Sequence, residues 1–78
     1  MRELKVLGPG CRNCELLARR VEEAALALKL EYRIEKVTDY DQMMRFPIVG
    51  TPALVVDGVV RFSGSVPTVA TLRNILSD

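Results

Sequence analysis

The spacing of apolar and polar positions changes several times along the chain, and each change predicts an element. Arg2 to Leu7 alternates, with Leu4 and Val6 set between charged residues, as a strand does. Gly8-Pro9-Gly10 then interrupts regular structure. From Arg12 to about Leu30 the apolar residues recur at three- and four-residue steps. Cys14, Leu17, Ala18, Val21, Ala24, Ala25 and Leu28 share one face of a helix. Arg12, Glu15, Arg19, Glu22 and Glu23 fall largely on the other. Glu15 stands one turn before Arg19, the favourable order for an ion pair on a solvated face.

Glu31 to Val37 alternates again, with Tyr32, Ile34 and Val37 as inward residues of a second strand. Thr38 or Asp39 caps a short helix through Asp41 to Arg45, and Pro47 ends it or falls just beyond it. Ala53 to Val56 and Val59 to Phe62 are apolar runs separated by Asp57-Gly58, a pair suited to the positive backbone angles of a tight hairpin turn. Ser63-Gly64-Ser65 is the next loop. Pro67 suits the first turn of a final helix, Pro67 to Ser77, whose Val69, Leu72, Ile75 and Leu76 face the core. The first strand–helix–strand unit is expected to be parallel and right-handed, with the hairpin extending its sheet antiparallel. No repeat, linker or low-complexity segment divides the chain, so residues 1–78 are expected to form a single α/β domain.

Composition narrows the function. A chain of 78 residues has room for one core. With 11 basic and 10 acidic residues the net charge is +1, leaving no field to draw in nucleic acid or an anionic membrane. The first seven residues hold no apolar stretch of signal-peptide length, and the long helix carries too many charges to span a membrane. A soluble, cytoplasmic protein is expected. In a reducing compartment two cysteines close in sequence point to redox or metal chemistry. As a structural staple their bridge would close too short a loop to remove much unfolded-chain entropy. The chain has no histidine, which excludes Cys–His nucleophile pairs, imidazole metal sites and a histidine base.

Cys11-Arg12-Asn13-Cys14 lies where a loop leaves a strand and a helix begins. The first turn of a helix carries unpaired N–H groups and a partial positive charge. A thiolate at Cys11 is stabilised there, with Arg12 as a nearby cation, and such thiols titrate below the free value of about 8.5. The thiolate is the form that attacks a disulfide. Cys14, one turn further in, reaches Cys11 and is more buried. Cys11 would form a mixed disulfide with a substrate, and Cys14 would release it. Two other readings stand beside this one. Two thiols are half of a four-ligand zinc site, or the seat of a soft ion such as Cu(I). Alternatively, Cys14 on the apolar face is simple core filling.

Leu4 to Leu7 followed by Gly8-Pro9-Gly10-Cys11-Arg12-Asn13-Cys14, then Gly50-Thr51-Pro52-Ala53-Leu54-Val55-Val56-Asp57-Gly58, then Phe62-Ser63-Gly64, resembles the thioredoxin/glutaredoxin superfamily. It most closely resembles the small redox-active disulfide proteins with a minimal glutaredoxin-like core. The resemblance implies a thioredoxin-like βαβ(α)ββα fold, a four-stranded mixed sheet with helices on both faces. It implies a thiol–disulfide oxidoreductase with Cys11 and Cys14 as catalytic residues, no cofactor and no bound metal. It further implies a cis bond before Pro52, which lies against the cysteines. Thr51 presents its backbone to an extended substrate, and Gly64 keeps the partner's approach clear; Arg12 joins them as a supporting residue through its charge beside Cys11. Partners implied are a disulfide-containing protein or a low-molecular-weight thiol, and a thioredoxin-reductase-like electron donor. The chain departs from common patterns: no Trp precedes Cys11, no Pro or Tyr separates the cysteines, and one glycine stands between Ser63 and Ser65. The rival heavy-metal-associated domain also places its cysteines after a first strand, but ends in a strand and does not need Thr51-Pro52.

Overall fold

The first alternating segment forms β1 (Arg2–Leu7), which lies inside the sheet between β2 (Tyr32–Val37) and β3 (Ala53–Val56), with β4 (Val59–Ser63) at the far edge. The computed structural model describes residues 1–77; Asp78, the last residue of the expected domain, lies outside the described residues. β1 pairs parallel with β2 and antiparallel with β3, and β3 pairs antiparallel with β4. Among the described residues three helices complete the order: α1 (Arg12–Ala27) joins β1 to β2, α2 (Tyr40–Met43) precedes β3, and α3 (Val69–Leu76) is the last element. This is the mixed four-stranded α/β architecture that the resemblance implies. The closing helix stands where a heavy-metal-associated domain would have a strand.

Alternation along the strands divides the core in two, because successive side chains point to opposite faces. Leu4, Val6, Leu54 and Val56 pack with Leu17, Val21 and Ala25 of α1 and Leu72 and Leu76 of α3. Leu7, Ala53 and Val55 pack on the opposite face with Val37 and with Met43 of α2, partly covered by Phe46 and Ile48. β3 is therefore buried along its whole length. All six buried residues of α1 come from the apolar face read in the sequence. Asp57 and Gly58 adopt φ of 50° and 84°, the left-handed pair that a tight hairpin turn needs. Tyr32 and Ile34 lean on the α1 core, whereas Val37 enters the other one.

Several boundaries differ from expectation. α1 stops at Ala27, three residues short of Leu30. Lys29 takes φ 55°, the Leu30 N–H donates to Ala25 O and the Lys29 N–H to Leu26 O, both at 3.0 Å. That paired pattern ends a helix usually through glycine. Here a lysine occupies the position, so the customary marker is missing. α2 is capped by Asp39, whose carboxylate accepts from the Asp41 N–H, and ends before Arg45. Pro67 is not in the final helix: Thr68 is the cap, accepting from the Thr71 N–H at 3.2 Å. The Pro67 and Val66 carbonyls instead accept from the Arg20 guanidinium of α1. Ser63 belongs to β4 rather than to the following loop. Glu15 pairs across the molecule with Lys36 of β2 at 2.9 Å, in place of the expected turn-spaced partner Arg19.

Candidate active site

Cys11 and Cys14 are joined as a disulfide, with Cα atoms 5.0 Å apart, at the point where α1 begins. Cys11 is the cap of that helix. Its sulfur accepts the backbone N–H of Cys14 at 3.2 Å, and its carbonyl accepts that of Glu15 at 3.0 Å. A sulfur thus occupies the place where helices commonly put a Ser or Asp oxygen, facing otherwise unpaired donors and the positive end of the helix. Cys11 is exposed, while Cys14 is only 5% exposed. The difference follows from the helical pattern: Cys14 lies on the stripe with Leu17 and Val21, and Cys11 sits before the helix. Arg12 is the first helical residue and is exposed.

The second wall comes from the loop before β3. The Thr51-Pro52 bond is cis. Pro52 is buried and its carbonyl accepts the Gly64 N–H at 2.9 Å, which ties this loop to the end of β4. Gly64 has φ 77°, a conformation a side chain rarely adopts. Gly50 lies behind it, where an added Cβ would stand 3.4 Å from the Gly64 Cα. Thr51 is exposed. The residues singled out in the sequence therefore fall into two groups, Cys11, Arg12 and Cys14 on the helix start, and Thr51, Pro52 and Gly64 on two loops bonded to each other.

The link between the groups is Gly8, which the sequence showed only as a break after the first strand. It is buried, and a Cβ there would collide with the Cys14 sulfur and stand 3.8 Å from the Pro52 Cα. No local pattern marks it, because the neighbours that matter are 6 and 44 positions away. A groove of ≈ 340 Å³ was also not foreseen. It runs from Thr51 past Ile48, Phe46 and Met43 to Met44 and Tyr40. Met44 and Tyr40 are 77% and 68% exposed, high for apolar side chains. Their one-turn spacing, from the first residue of α2 to the residue that caps its end, was the available signal.

The arrangement suits thiol–disulfide exchange: two sulfurs within bonding reach, one exposed and held at a helix start, the other buried behind it. Among the described residues no three His, Cys, Asp or Glu side chains gather as a metal-binding group. None of the described helices is long and apolar enough to cross a membrane.

A family model for the thioredoxin domain matches residues 2–77. Over 77 residues the chain is 31% identical to a thioredoxin of Methanothermobacter thermautotrophicus, covering 99% of this chain and 100% of that one. A thioredoxin of Methanocaldococcus jannaschii is 30% identical over 75 residues, 96% of this chain and 86% of its own. Agreement over nearly the full length, with the cysteine pair at the start of α1 and the mixed sheet behind it, makes this chain a member of the thioredoxin family.

Proposed function

We propose that the protein is a thiol–disulfide oxidoreductase that reduces disulfides of partner proteins in the cytoplasm, with Cys11 as the attacking thiol and Cys14 as the resolving one. The observation that carries the reading is the Cys14 N–H donating to the exposed Cys11 sulfur, since a donor so placed also stabilises a thiolate. In the reduced protein the Cys11 thiolate attacks one sulfur of the substrate disulfide. A Cys11–substrate disulfide forms and the first substrate thiolate leaves, taking a proton from water. The Cys14 thiol loses its proton to water and attacks the Cys11 sulfur, forming the Cys11–Cys14 disulfide and expelling the second substrate thiolate. Two electrons pass to the substrate. A thioredoxin-reductase-like donor or a low-molecular-weight thiol returns them to the protein.

Around this exchange, Thr51 presents its backbone to an extended substrate segment and Pro52 backs the sulfur pair. Gly64 leaves the approach open, and the groove from Thr51 to Tyr40 takes apolar side chains flanking the substrate cysteine. Arg12 supplies a screened positive charge to the thiolate.

Trapping tests the assignment. Reduced Cys14→Ser should accumulate a stable mixed disulfide with a disulfide-bonded protein, and Cys11→Ser should accumulate none. Equal trapping by both variants, or by neither, overturns it.

A further inference from the structure

Gly8 has an ordinary backbone conformation, so nothing in its φ demands glycine. Space does. Its Cβ would fall on the Cys14 sulfur and stand 3.2 Å from the Cys14 Cβ and 3.8 Å from the Pro52 Cα. Both backbones are anchored, so the sulfur is what must move. The Gly8 N–H is bonded to the Val37 carbonyl at 2.9 Å, directly after a fully buried Leu7. Opposite, α1 is seated on the sheet by Leu17 and Val21, both without exposed surface. The buried sulfur therefore occupies the volume that any other residue at position 8 would fill.

We propose that Gly8 is a positioning residue for the resolving step, its missing side chain forming the seat from which the Cys14 sulfur attacks Cys11. The proposal rests on the assignment of Cys14 as resolving thiol. A methyl group at position 8 pushes the sulfur off its line of approach to the Cys11–substrate disulfide. The bond to be formed, Cys14 to Cys11, and the bond to be broken, Cys11 to the substrate sulfur, are then misaligned. The first attack, by the exposed Cys11 sulfur at the helix start, does not involve the seat. Gly8 thus bears on one half of the exchange.

The test uses reduced protein mixed rapidly with an aromatic disulfide whose two halves are released as coloured thiolates. Cys11 attack releases the first half and Cys14 resolution the second. Gly8→Ala should leave the first release unchanged and slow the second by roughly tenfold to a hundredfold, the range expected for a reacting atom displaced by about 1 Å. An unchanged second release, or equal slowing of both, overturns the proposal. Cys14→Ser is the control for the underlying assignment: a second release that persists in it means the assignment of Cys14 has failed, not the role of Gly8. Stability of the reduced proteins provides an independent reading. Gly8→Ala should cost less in a Cys14→Ala background, where the sulfur is gone, than with Cys14 present; additive costs overturn the proposal. Should Gly8→Ala alone fail to fold, Cys14→Ala should restore folding, and failure to restore it counts against the proposal equally.

Discussion

The backbone N–H of Cys14 donates to the sulfur of Cys11 at 3.2 Å, so the amide of one cysteine holds the side chain of the other. The contact exists because Cys11 is the helix cap and Cys14 the third helical residue, the spacing at which a capping side chain meets an unpaired donor. Two intervening residues put Cys14 at one of the two positions whose N–H a capping side chain reaches, which ties the motif's spacing to helix capping as well as to disulfide closure.

This contact should lower the titration of Cys11 in the reduced protein. Alkylation of Cys11 is expected to remain fast at pH values well below the free-thiol value of about 8.5, and that of Cys14 to be slow throughout. Arg12 adds less, because it is exposed. Arg12→Ala should slow alkylation of Cys11 by less than about threefold at low ionic strength, and the difference should vanish in molar salt, where screening acts over about 3 Å. A large effect that survives salt would assign the activation to Arg12 instead of to the helix start.

Gly64→Ala separates substrate classes. The left-handed φ makes the alanine cost roughly 1–2 kcal/mol in stability, measurable by urea denaturation. With Gly64 beside Pro52 at an exposed loop, the added methyl should reduce turnover of a protein disulfide more than that of a small aromatic disulfide. Equal losses on both would remove Gly64 from the partner-facing surface.

Asp57 links the hairpin turn to the start of the chain. One carboxylate oxygen accepts the Glu3 N–H at 2.8 Å, and the other pairs with the Arg2 Nε at 2.8 Å. A half-exposed ion pair contributes little, so most of the effect belongs to the hydrogen bond and to the turn. Asp57→Ala should destabilise by about 1–2 kcal/mol and Asp57→Asn by clearly less, since the amide keeps an acceptor and tolerates the turn's backbone. Chemical denaturation of the pair of variants compares them directly.

Leu72 is fully buried between α3 and the α1 face. Leu72→Ala should cost about 2–5 kcal/mol, a large share of the stability of a chain this short. The cysteine site is built on the start of α1 and on the bonded loops of Pro52 and Gly64, none of which includes Leu72, so alkylation of Cys11 in the folded fraction should be unaffected.

The amino-acid sequence by itself determined the elements whose signals are local. The apolar stripe from Cys14 to Ala25 places a helix and orients its buried face, because side chains three and four apart share a side whatever surrounds them. Asp57-Gly58 places the hairpin for a similarly local reason, the low cost of positive φ at those residues. The cysteine spacing at a loop-to-helix boundary pointed to the chemistry, and the Thr51-Pro52 and Gly64 segments could be tied to it only through family resemblance. Tertiary structure decided the rest. Lys29 ends α1 because Leu30 turns back onto the core, and no glycine announces it. Pro67 lies outside α3 because Thr68 caps the helix and Arg20 holds the preceding carbonyls. Glu15 found Lys36, 21 residues away, since the parallel pairing of β1 and β2 brings β2 beside the start of α1. Gly8 illustrates the boundary most sharply: its constraint is a volume filled by a sulfur from another element, and a volume shared between elements has no signature along a chain.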